Sequence, residues 1–216
     1  MSGHRLLPWT LAALTILGTA APVATDSSSA FAERIAAKSR ALTLRYAYPV
    51  PGGTNGSTHA GYPAADIFKA CGATVVSPVD GVVSRVDRVD DWNAATDNPW
   101  ARGGKSVAIK GRDRVRHYLA HLSRIKSELR AGDDVVAGER LGRMGRTGRA
   151  GACHTHYGIS RMCPVPEWWV RRGVVAPQRY LTAWREGQML SPYLAVRSWA
   201  QGYRGECSSP SVIGAS

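Results

Sequence analysis

Acidic residues are few in this chain. Against 28 Lys and Arg stand 16 Asp and Glu, leaving a formal charge of +12 over 216 residues. Such an excess draws polyanions to a surface. The cations are scattered between apolar positions and form no block, which suits a solvated basic surface as well as a dedicated binding face. Familiar catalytic signatures are missing too. There is no HExxH, which excludes the common helical zinc-protease arrangement, and no GxSxG nucleophile elbow. Gly104-Lys105-Ser106 matches the end of a phosphate-binding loop, but Pro99 stands where that loop needs its first glycine. The phrases SPVDGVV and AGDDVVAGE are too weak an echo to make a repeat.

Long apolar runs are equally rare. One exists, Leu6 to Val23, behind the positive Arg5 and ending among small residues. Pro8 and Pro22 interrupt it, and it barely reaches the roughly 20 apolar residues that a bilayer core requires. Residues 1–24 therefore read as a secretory signal peptide rather than a lasting anchor, so that no stable membrane insertion is expected after cleavage. For an exported chain this basic, the expected partners are anionic cell-envelope polymers or membrane surfaces and not nucleic acid. Only four cysteines are present, Cys71, Cys153, Cys163 and Cys207. An even number in an exported chain favours two disulfides, and the spacing is not that of a zinc knuckle. A local Cys153–Cys163 bridge would leave Cys71 for Cys207, although sequence alone allows three connectivities.

The length suits one well-filled domain with extensions. Residues 25–45 make a small, polar lead and a short helix, in which Phe31, Ile35 and Leu42 share a face. The Gly- and Pro-rich YAYPVPGGTNGSTHAGYP that follows has loop chemistry. Short, β-branched and often alternating runs come next: DIFKA, ATVVSPVDGVVSRV, KSVAIKG, VRHYLAHL, DDVVAGERLGRMG and HTHYGIS. Separated by Gly and Asp turns, they predict a mostly β, single-domain antiparallel structure over 46–162 with short flanking helices. Residues 163–216 form an aromatic-rich extension with helices predicted over 177–186 and 190–201. Six of its aromatics, Trp168, Trp169, Tyr180, Trp184, Tyr193 and Trp199, are expected to pack on the β core rather than to present a stacking surface.

Histidine is scarce as well, with six in the chain and His4 inside the signal segment. Yet His154 and His156 lie one residue apart in GACHTHYGIS, on one face of an extended strand. A catalytic zinc needs three N or O ligands and an open position for water, whose pKa then falls from about 15.7 toward ~7. His59, Asp66 and His156 can supply that set. His121 and His154 remain to orient water, move protons or stabilise an oxyanion. His117 and His121 stand four apart in RHYLAHL, so an unbroken strand would turn both the same way and leave one with a structural role. Taken singly, each of these residues also has a plain reading as a surface, turn or strand-end residue.

Read together, the stretch from His59 to Asp66, GATVVSPVDGVV, GGKSVAIKG with HYLAHL, and AGDDVVAGERLGRMGRTGRAGACHTHYGIS resemble the lysostaphin-like, LytM-type zinc metalloendopeptidases, which cut peptidoglycan peptides. The resemblance covers about residues 46–162. It implies a small antiparallel β fold of the duplicated hybrid-motif type, with His59, Asp66 and His156 as ligands of a Zn2+ ion and His121 and His154 as catalytic histidines. It further implies a secreted, cell-wall-associated monomer acting on peptidoglycan peptides. One departure stands out. The family spaces its first His and Asp four apart, whereas HAGYPAAD spaces them seven apart and puts Tyr62 at the four-back position. A site left incomplete by that spacing would make the chain an inactive relative, serving as a wall-binding or hydrolase-activating module.

Overall fold

The computed structural model describes residues 29–33, 43–163 and 167–202. The chain divides into two units, 1–42 and 43–216. In the first, residues 29–33 are helical and exposed; the expected signal peptide, and the rest of the helix expected to reach Leu42, lie outside the described residues. Among the described residues no helix is long and apolar enough to cross a membrane.

Among its described residues the second unit has ten strands, paired antiparallel throughout. They are β1 (Thr54–Asn55), β2 (Ala65–Phe68), β3 (Thr74–Val76), β4 (Gly81–Asp87), β5 (Ser106–Gly111), β6 (Val115–Ala120), β7 (Leu122–Ile125), β8 (Asp134–Val135), β9 (Arg140–Met144) and β10 (Thr155–Arg161). Seven form one sheet in the order β1-β2-β10-β6-β5-β4-β8, and three form a second in the order β3-β9-β7. A 3-10 turn at Val170–Arg172 and two helices, α1 (Gln178–Arg185) and α2 (Tyr193–Gly202), follow among the described residues.

One continuous core lies on the inner faces of these strands, around Ile67, Val75, Ile109, Leu119, Leu122, Leu141, Tyr157 and Ile159. Burying each such side chain contributes about 1.5–3 kcal/mol. The central strands do not alternate as an open sheet would. Every residue of β6 is buried, as is nearly all of β5 and β10, because the second face of the sheet is covered as well. Arg171 and Trp100 stand over it, with the Arg171 guanidinium against the rings of Trp100 and Tyr118.

The aromatic extension divides. Tyr180 and Trp184 enter the core, and Trp184 stacks on Tyr46 with ring centroids 4.9 Å apart. Trp169 stays partly exposed beside Trp199, while Trp168 lies under the guanidiniums of Arg102 and Arg172. The cysteine pairing differs from the local bridge expected. Cys71, in the turn before β3, bonds to Cys153 across 82 residues of sequence, and Cys163 is itself disulfide-bonded elsewhere. The β10 strand carries Cys163 away from Cys153, whereas folding brings the β2–β3 turn beside the start of that strand.

Candidate metal centre

The pairing of β2 with β10 sets His156 directly opposite Asp66. Across that pair, His156 Nδ1 lies 3.1 Å from Asp66 Oδ1. His154 precedes β10 and points to the same side, placing its Nε2 3.6 Å from the same oxygen. The loop before β2 folds back so that His59 Nε2 also stands 3.6 Å from Asp66 Oδ1. Ligand atoms of His59, Asp66 and His156 all fall within 4.8 Å of one another. The seven-residue spacing thus closes: Gly61 adopts a left-handed φ of 87°, and the chain bends until His59 Nδ1 meets the Tyr62 carbonyl at 3.2 Å.

His117 and His121 do not face the same way. β6 ends at Ala120, and His121 takes a left-handed φ of 64°, which breaks the two-residue period. His117 consequently points into the core, bonded to Tyr157 Oη at 2.7 Å and to Asp113. His121 turns to the metal side, its ring 4.7 Å from that of His154 and 6.0 Å from that of His156. A left-handed non-glycine residue costs on the order of 1–3 kcal/mol and persists only where its surroundings fix it. Here the His121 N–H donates to the Gly103 carbonyl at 2.9 Å.

Each of the four imidazoles at the centre has one nitrogen facing a backbone carbonyl. His59 Nδ1 faces Tyr62, His121 Nδ1 faces Thr147 at 2.7 Å, His154 Nδ1 faces Ala152 at 2.9 Å and His156 Nε2 faces Arg172 at 2.8 Å. A carbonyl only accepts, so these contacts assign the proton to that nitrogen and leave a lone pair on the other. For His156 the consequence is direct: a lone pair on Nδ1 would face a carboxylate oxygen at 3.1 Å, which requires a cation or a second proton between them. The donor set of two imidazole nitrogens and one carboxylate, oriented by outer carbonyls, fits zinc.

Burial pushes the His59 pKa down, Asp66 opposing and His156 adding to it. Burial, then the imidazoles of His156 and His154, push His121 down to about 3. Burial raises the Asp66 carboxyl, yet the close approach of His156 and the neighbouring imidazoles of His154 and His59 outweigh it and hold it below its ordinary value.

The sequence gives little notice of the cations around this centre. A cavity of about 230 Å³ is lined by His121 and His156 together with Tyr62, Arg102, Tyr118, Arg149 and Arg172. Their positions in sequence carry no common motif, so only the fold assembles them.

A sequence profile of peptidase family M23 matches residues 59–165. No curated protein matches the chain. Among solved structures, the chain is similar to the antimicrobial peptidase lysostaphin from Staphylococcus simulans, at 20% identity, a TM-score of 0.51, and coverage of 69% of this chain and 58% of that one. The catalytic domain of the same peptidase aligns at 23% identity and a TM-score of 0.45, covering 66% of this chain and 94% of that domain. A zinc-containing peptidase from Vibrio cholerae aligns at 22% identity and a TM-score of 0.41, over 53% of this chain and 36% of that one. At these identities, the likeness bears on the fold.

Proposed function

Residues 59–165 belong to peptidase family M23, and from that premise we propose that the protein is a secreted, zinc-dependent endopeptidase that hydrolyses peptide bonds in peptidoglycan. The observation that carries the reading is the meeting of His59, Asp66 and His156 within 4.8 Å, with His121 and His154 beside them.

In this reading, His59 Nε2, the Asp66 carboxylate and His156 Nδ1 hold the metal. A zinc ion held there would supply Lewis-acid polarisation of the scissile carbonyl and of an attacking water. His121, neutral because burial depresses its pKa, accepts a hydrogen bond at Nε2 and so orients the water. His154 presents its own Nε2 on the same side. His154 takes up the proton that the water releases, and the resulting N–H donates to the oxyanion and then to the leaving amine. Both rings are held by carbonyls at Nδ1, so neither must reorient between these tasks. The net positive charge favours retention on an anionic wall, where the protein acts as a monomer.

The test is the metal content of the mature protein beside a His59→Ala variant, together with release of fragments from purified peptidoglycan before and after chelation. About one zinc per chain, lost in the variant along with hydrolysis, supports the reading. A metal-free native protein that binds wall material without cutting it would establish a binding or activating module instead.

A further inference from the structure

Three guanidiniums converge on the cavity that holds His121 and His156: Arg102, Arg149 and Arg172. Two of them, Arg102 and Arg149, share one carboxylate. Asp97 accepts from Arg102 Nε at 2.8 Å and from Arg102 Nη2 at 2.5 Å, and from Arg149 Nη1 at 3.1 Å. The Trp92 indole N–H, at 3.1 Å, fixes the same carboxylate. Arg102 and Arg149 are also joined through their backbones, the Arg149 N–H donating to the Arg102 carbonyl at 2.8 Å. The loop between β4 and β5 therefore holds two of the three cations in place before any ligand arrives.

Arg172 differs from both. It has no carboxylate partner among the described residues, and its Nε is buried with no hydrogen-bond partner. Its guanidinium lies between two rings, 4.4 Å from the centre of Tyr62 and 4.6 Å from that of Trp168. Its backbone carbonyl receives the His156 Nε2 proton, which ties the position of this residue to the metal centre. A partly dehydrated, sandwiched guanidinium with unused donors is a receptor for a planar oxyanion, and carboxylate matches its fork.

Outside this cavity, the ring of Phe68 lies beside His154, with centroids 5.6 Å apart. The cavity beside His121 and His156 thus carries three cations. We infer that Arg172, supported by Arg102 and Arg149, forms a subsite for a free carboxylate close to the scissile bond, so that the substrate is an anionic rather than a neutral peptide. The inference rests on the peptidase reading above and names the substrate class of that same centre.

The test uses paired synthetic peptides of peptidoglycan stem sequence, identical except that the carboxylates flanking the cleaved bond are free in one and carboxamides in the other. For the zinc-loaded protein, kcat/KM for the free form should exceed that for the amidated form by roughly 10- to 100-fold, chiefly through KM. Arg172→Gln should bring that ratio toward one, and Arg172→Lys should restore only part of it, since an ammonium lacks the planar fork. Zinc content and circular dichroism of each variant establish that it is folded. Equal cleavage of the two peptides by the native protein, or an equal loss on both in Arg172→Gln, would overturn the subsite and leave Arg172 a packing residue. Should neither peptide be cut, the peptidase reading fails, and equilibrium binding of both peptides to the native protein still decides the subsite: preference for the free form, lost in Arg172→Gln, upholds it, and equal binding rejects it.

Discussion

His156 stands opposite Asp66 on paired antiparallel strands, its Nδ1 3.1 Å from the carboxylate and its Nε2 2.8 Å from the carbonyl of Arg172. Both ring nitrogens are thereby assigned, one to the centre and one to its outer support. His59, His121 and His154 each likewise turn one nitrogen to a backbone carbonyl.

Ligand and assisting histidines should separate by metal content. His59→Ala and His156→Ala are expected to lose zinc and hydrolysis together, whereas His121→Ala and His154→Ala should keep close to one zinc while hydrolysis falls by roughly 10²- to 10⁴-fold. Atomic absorption on the four purified variants, beside peptidoglycan turbidity clearance, checks this. Loss of zinc from His121→Ala would move that residue into the ligand set.

Stability of the metal-free protein should fall in mild acid. The folded chain holds His121 down at about 3, whereas an unfolded histidine titrates near 6.5. The unfolded state therefore takes up a proton that the folded state refuses. The contribution is intact above about pH 6.5 and is lost progressively as pH falls toward about 3; His59, also lowered by burial, acts in the same direction. Urea unfolding of chelated protein from pH 7.5 to 4.5 should show a decline that is shallower in His121→Asn, asparagine being tolerant of the left-handed backbone. Parallel slopes would show that His121 does not carry the effect.

Two glycines allow the Arg172 carbonyl to reach His156. A Cβ on Gly158 would run into that carbonyl, and one on Gly173, at a φ of 135°, would run into the Pro63 carbonyl. Gly158→Ala should destabilise the fold by about 1–3 kcal/mol and weaken zinc binding roughly 10- to 100-fold through loss of the outer contact. Gly151→Ala, with open space around its Cβ, serves as the control. Zinc affinity by competition with a chelating dye distinguishes the two.

The Cys71–Cys153 bridge closes 82 residues immediately before His154. Replacing both cysteines with alanine should cost roughly 2–4 kcal/mol, seen as a fall in Tm of roughly 5–15 °C, and should lower hydrolysis more than zinc content, because His154 loses its anchor and His156 does not. Scanning calorimetry and zinc content on the double variant test both halves.

Local chemistry was enough to expect the strands, their turns and the two C-terminal helices. Period-two apolar runs bounded by Gly and Asp leave few alternatives for a chain of this length, and HTH at strand spacing announces two imidazoles on one side. Where the sequence misled, a non-local contact had intervened. The backbone turn at His121 separates it from His117, and a strand's period says nothing about where that strand breaks. Cys71 meets Cys153 rather than waiting for the C-terminal cysteine, because sheet closure and not sequence distance decides which thiols are neighbours. The bend that returns His59 to Asp66, and the convergence of Arg102, Arg149 and Arg172 from three separate segments, exist only once β2, β10 and the 3-10 turn are packed together. Residue types set which chemistry was available to this protein; tertiary packing decided which of them share one charge environment, since Coulombic and hydrogen-bond energies depend on distances of a few ångströms that sequence order does not encode.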